Sequence, residues 1–217
     1  MAGGCLAGVM LGGCGSSGNG VASKSATQIV NTAIAAMRRA QSVHIAGTIT
    51  QSGKVESLDI SLYSDGDADG SVTTAGQTLQ IIKIGTTDYI NASAAFYQSH
   101  GETSSIAGQM GGKWIEEPDS QVGVGSEFSV GSFANSISKH TGTLSKAGTS
   151  TVSGQSVVGV RSSKGGTIYI QTNGTAYPVE FVGSSKTNGS GTLMFSEWNS
   201  APTPKAPRGA RSAQSFG

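Results

Sequence analysis

The sequence predicts an α+β fold: a single curved antiparallel β-sheet, a half-open barrel of about 10–11 strands, with helices covering its concave face. Three observations carry this prediction. Apolar and polar residues alternate along two runs of short segments, and the links between those segments are turn residues. A stretch with helical period precedes the first run, and a less regular helical stretch lies between the two. The apolar supply is modest: 36% hydrophobic, with 33 glycines and 33 serines in 217 residues. That composition suits a sheet with one solvated face better than a parallel sheet buried on both faces.

In chain order, Ile29, Val30, Ala33, Ile34, Met37 and Ala40 recur at helical spacing between Ala26 and Gln41, with Ser25 as N-cap and Arg38 and Arg39 favouring the C-terminal end of the dipole. The period then changes to two. Val43, Ile45 and Ile49 alternate with His44, Ala46, Thr48 and Thr50, and Leu58, Ile60 and Leu62 alternate with Ser57, Asp59 and Ser61. Strands follow at 70–74, 78–84 and 88–91, linked by Asp65-Gly66-Asp67, Ala75-Gly76 and Gly85. Links this short make hairpins, not crossovers. Between 92 and 142 the alternation breaks. Phe96, Ile106 and Met110 suggest one or two irregular helices, Trp114 a short extended piece stopped by Pro118, and Phe133 and Ile137 another helix. A second run of strands is expected at 144–149, 156–161, 167–172, 179–183 and 192–198. Neither run can bury its apolar face alone, so one domain is expected.

A formal charge of +1 on a chain only 12% charged argues against nucleic-acid binding, which needs a basic face. Both cysteines, Cys5 and Cys14, lie near the start, so a disulfide scaffold or a cysteine zinc site is excluded for the rest. Leu11-Gly12-Gly13-Cys14 resembles a bacterial lipobox, whose cysteine receives diacylglycerol, and the polar run 15–25 resembles the tether that follows. The first basic residue is Lys24, so the basic start of a signal peptide is missing, and Met1 is read as an internal residue of a longer precursor or the edge of a clipped one.

Several segments carry a family resemblance. The helix running into Gln41-Ser42-Val43-His44-Ile45-Ala46-Gly47-Thr48-Ile49 resembles the opening of the actinobacterial LppX/LprG-type lipoproteins. So do Asp65 to Val72, Gly85-Thr86-Thr87-Asp88-Tyr89-Ile90, Gly112-Lys113-Trp114, Ile168-Tyr169-Ile170 with Tyr177-Pro178, and the closing Leu193 to Trp198 before a Pro-rich end. The resemblance implies a half-barrel like the LolA and LolB carriers, holding acylated lipid between sheet and helices. It divides the chain into a signal-peptide remnant at 1–13, an acylated Cys14 and flexible tether at 14–25, a lipid-binding domain at 26–200, and a Pro-rich disordered tail at 201–217.

Other patterns have simpler explanations. Asp65 to Gly70 copies the start of a calcium loop but has Gly76 where the bidentate Glu belongs, so it reads as a hairpin turn. Ser136-Ile137-Ser138-Lys139 matches S-x-x-K without the companion motifs of a serine acyl-enzyme. His44, His100 and His140 are isolated from one another, and Trp198 reads as core or sheet edge. No catalytic residue, metal or cofactor is therefore expected. The expected function is a monomeric, non-enzymatic envelope lipoprotein on the outer face of the plasma membrane, anchored through acyl chains on Cys14. Its partner would be an acyl lipid or lipidated glycan. The expected cavity lining is Ile45, Ile49, Leu58, Ile60, Leu62, Ile82, Ile84, Phe96, Ile106 and Met110, with Trp114 at the mouth. The alternative is a surface interaction module of the same fold with a filled core.

Overall fold

The computed structural model describes residues 18–118, 129–139, 142–185 and 189–216. After a 3-10 turn at Val21–Ser23, helix α1 spans Ala26–Met37. Its start is set by a reciprocal cap: the Gln28 amide N–H donates to the Ser25 hydroxyl, and the Ser25 N–H donates to the Gln28 side chain. Strands β1 (Ser42–Gln51), β2 (Lys54–Tyr63), β3 (Ala68–Thr74), β4 (Gln77–Ile84) and β5 (Thr87–Asn91) follow as hairpins. Two short helices, α2 (Ala94–Ser99) and α3 (Ser104–Met110), precede β6 (Trp114–Pro118). Helix α4 (Val130–Lys139) then leads into β7 (Leu144–Val152), β8 (Gln155–Ser162), β9 (Thr167–Gln171), β10 (Pro178–Ser185) and β11 (Gly189–Ser196). The predicted strands and helices are all present, within a few residues of their expected ends.

With a final short strand β12 (Arg211–Ser212), the two meanders join into one curved, open sheet of order β12-β6-β5-β4-β3-β2-β1-β11-β10-β9-β8-β7. The seam is the antiparallel pairing of β1 with β11, where Ile45 faces Phe195. Glycine permits a tight approach at this seam. Gly47 has φ +150° and Gly191 φ +134°, and a Cβ on either would stand 2.1 Å from a carbonyl oxygen of the neighbouring strand. No L side chain fits there, so the strands can cross and bend.

One face of the sheet carries the core in three clusters. Under α1, Ile29, Val30, Ala33, Ile34 and Met37 meet Val158, Val160, Ile168 and Ile170. In the middle, Val43, Ile45, Ile60 and Leu62 meet Phe195 and Val130 of α4. At the far end, α2 and α3 bring Tyr97, Ala107 and Met110 onto Ile90 and Ile115. Each fully buried aliphatic side chain contributes about 1.5–3 kcal/mol of transfer free energy.

Two expectations about the ends are corrected. The segment 201–216 is not a disordered tail. The Ala201 N–H donates to Ser42 Oγ, the Tyr63 hydroxyl donates to the Pro202 carbonyl, and Pro204 is buried. Strand β12 (Arg211–Ser212) then runs parallel to β6, and Phe216 is buried in the third cluster with the Arg211 guanidinium 4.5 Å from its ring centroid. Proline costs nothing in an extended edge strap, and one aromatic anchors it. The tether is likewise shorter than expected. Asn19 donates from its backbone to Thr172 O and from its amide to Gln171 O and Gly174 O, and Val21 is buried beside α1. The packed domain therefore runs from about residue 19 to 216.

Candidate functional site

A cavity of about 430 Å³ lies between the two long helices and the β7–β11 part of the sheet. Val30 of α1 and Phe133 and Ile137 of α4 form its roof. Val160, Ile168, Phe181, Leu193 and Phe195 form its floor. Leu144, Ser162, Lys164, Gly165 and Gly166 ring one side, where the β8–β9 turn reaches the surface. Apart from Ser162, Lys164 and the two glycines, every wall residue is apolar. The volume lies within the about 300–1,000 Å³ of small-ligand pockets.

The sequence leaves this space unfilled for a local reason. The β8–β9 turn supplies two glycines where the sheet wall would otherwise carry side chains. Gly166 has φ +129°, and a Cβ there would stand 2.9 Å from the Phe181 ring, so position 166 admits only glycine and Phe181 folds across it. Phe133 also leans away, tilted against Phe195 with ring centroids 5.4 Å apart.

None of the eleven residues expected to line a cavity lines this one. Ile45, Ile60 and Leu62 are buried in the middle cluster, with Ile49 and Leu58 packed against it; Val130 and Phe133 of α4 occupy the space they face. Met110, with Phe96 and Ile106 beside it, belongs to the third cluster, which α2, α3 and Phe216 fill. Ile82, Ile84 and Trp114 lie on the opposite face of the sheet. On that part of the sheet Ile81 pairs with Ile90, which pairs with Ile115, and these three are the buried ones. Cys14 lies outside the described residues.

The inner face of β4–β6 also carries charge. Lys83 pairs across the strands with Asp88, and Asp88 with Glu117. Lys83 Nζ lies 3.8 Å from Asp88 Oδ1 and donates to the Gly85 carbonyl at 3.1 Å, with the two side chains 4% and 0% exposed. Burial, then the nearby Glu102 charge, holds the Glu117 carboxyl above its usual range. The Tyr97 hydroxyl is pushed up to about 12, first by burial and then by Glu117. These groups sit across the sheet from the cavity and do not enter it.

Two histidines, His44 and His100, lie among the described residues. On the outer face, His44 Nε2 lies 2.8 Å from Asp59 Oδ1 and Nδ1 3.3 Å from Ser196 Oγ. His100 stacks on Phe96 at 4.1 Å and donates from Nδ1 to the Phe96 carbonyl. His140 and the side chains of Ser136 and Lys139 lie outside the described residues. The Asp65-Gly66-Asp67 segment is a turn: Asp65 Oδ1 accepts from the Asp67 N–H, and Asp67 Oδ1 accepts from Gly85 N–H. Trp198 packs between the first two clusters, stacked on Tyr177 at 4.4 Å and donating to the Pro178 carbonyl.

No family model matches the sequence, and no curated protein matches it. Solved structures do match the fold. LprF from Mycobacterium bovis is 16% identical, with a TM-score of 0.57 over 86% of this chain and 97% of that one. The lipoprotein LppX of Mycobacterium tuberculosis is 17% identical, with a TM-score of 0.51 over 81% of this chain and 94% of that one. The chain thus has the half-barrel fold of these two mycobacterial proteins.

Proposed function

We propose, from the half-barrel shared with LprF and LppX and from the void it encloses here, that the protein binds the apolar chain of an acyl lipid or glycolipid between its sheet and helices. The observation that carries this reading is the apolar cavity of about 430 Å³ under Val30, Phe133 and Ile137. Such a wall attracts methylenes at about 0.8 kcal/mol each and offers few polar groups to choose among headgroups. The proposed role is therefore to bind or carry, without catalysis. Acylation of Cys14 would place the domain at the outer face of the plasma membrane, and two or three acyl chains give a stable anchor.

The test is organic extraction of protein purified from a bacterial host, followed by mass spectrometry. A stoichiometric acyl lipid is expected, absent from a variant with Ile137 and Leu144 both changed to Asp. Lipid bound equally by that variant, or no lipid from either preparation together with no uptake of added fatty acid, would remove this reading.

A further inference from the structure

The formal charge of +1 hides a separation of charge along the sheet. Residues 18–46 and 129–179 contain no Asp or Glu at all. They build α1, α4, β7, β8 and β9, and α1 packs on β7 and β8. Among the described residues, the exposed cations of this end are Lys24, Arg38, Arg39, Lys146, Arg161 and Lys164. Residues 54–118, which build β2 to β6 with α2 and α3, hold nine carboxylates against Lys54, Lys83 and Lys113.

We propose that the β7 edge, with the outward side of α1, docks on an anionic lipid surface and brings the cavity rim to the bilayer. Three of these cations bond only uncharged oxygens in the described contacts. Lys24 donates to Thr32 Oγ1, Arg38 to Asn135 Oδ1 and Lys146 to the Ala22 carbonyl. Lys24 and Arg39 also flank one open hollow of about 410 Å³ on α1, together with Gln28, Asn31 and Thr32. The apolar rim favours a membrane over a purely acidic protein partner. Phe133, Ile137 and Leu144 stand half-buried on the cavity wall and can meet acyl chains. The charge separation stands independently of the acylation of Cys14 proposed above.

The experiment uses the full chain with Cys14→Ser, so that no acyl group can anchor it. It is sedimented with phosphatidylcholine vesicles, with and without phosphatidylglycerol, over a range of salt. Binding is expected only to the anionic vesicles, falling steeply as salt shortens the screening length. Each cation near such a surface raises partitioning about five-fold, so Lys24→Glu, Arg39→Glu and Lys146→Glu together should lower it about a hundred-fold or more. Lys205→Glu with Arg208→Glu, in the strap that leads to the other edge, should change it less than about two-fold. Equal binding to neutral vesicles, no binding to anionic ones, or an equal loss in the strap variant would overturn the proposal. So would head-to-tail self-association at low salt that accounts for the pelleted protein. Vesicle binding without any extractable lipid would uphold docking and remove the cavity reading; the reverse result would do the opposite.

Discussion

Replacing Ile137 by Trp should weaken lipid binding and strengthen the empty protein at the same time. The side chain stands on the roof of a cavity of about 430 Å³. At about 24 cal/mol per Å³, a sealed dry void of that size would cost about 10 kcal/mol, as much as the whole net stability of a typical domain. Water entering past the rim at Lys164 lowers this cost, but the apolar walls still lack partner atoms. An indole projecting from position 137 fills part of the space. It displaces about four methylenes of any bound chain, about 3 kcal/mol, so affinity should fall about 200-fold. Each recovered kcal/mol of packing should raise the melting temperature of delipidated protein by about 2–4 °C. Displacement of a fluorescent fatty acid measures the first effect, and thermal unfolding of the stripped protein the second. Opposite signs identify a real void that real ligand occupies. Unchanged affinity with raised stability would mean the ligand binds elsewhere, and lowered stability would mean the space is already full.

Other perturbations address the rest of the molecule. Lys83→Met should destabilise by about 3–5 kcal/mol, because it strips a buried carboxylate of its cation; Lys83→Met with Asp88→Leu should recover most of that, a comparison chemical denaturation can make. Burial holds the Asp69 and Glu117 carboxyls above their usual range, so the folded chain keeps protons that the unfolded chain has already lost, and these groups subtract stability as pH rises through that window. Glu117→Gln should therefore raise the urea midpoint at neutral pH, and its advantage should vanish below the ordinary carboxylate range. Phe216→Ala should cost about 3 kcal/mol locally and expose the strap, read as faster trypsin cleavage after Lys205 and Arg208 with the rest of the domain intact.

Much of the architecture was legible because local signals agreed. Ser25 and Gln28 marked the start of α1, and glycine- or Asx-containing turns separated strands whose alternation fixed their direction. The cavity was not legible, because alternation says which side chains share a face but not which stretch of that face the helices fill. In β4 even the face was ambiguous. Leu79 and Ile81 compete with Ile82 and Ile84, and Lys83 shares the face of the first pair, where Asp88 is buried against it. The strap escaped notice because its own sequence carries almost no apolar bulk. Its order comes from a pocket for Phe216 built by α2, α3 and β6.

The seam between β1 and β11 also constrains the order in which the chain can fold. His44 and Ser196 meet across 152 positions, so the first strand synthesised waits for nearly the last before it gains its second neighbour. Contacts this distant close slowly, and sheets dominated by them mature in milliseconds to seconds. Until then each meander is a separate ribbon with an unpaired edge, and α1 has no floor to settle on. In that condition the wall beneath α1 is incomplete, and it closes only after the last strands have arrived.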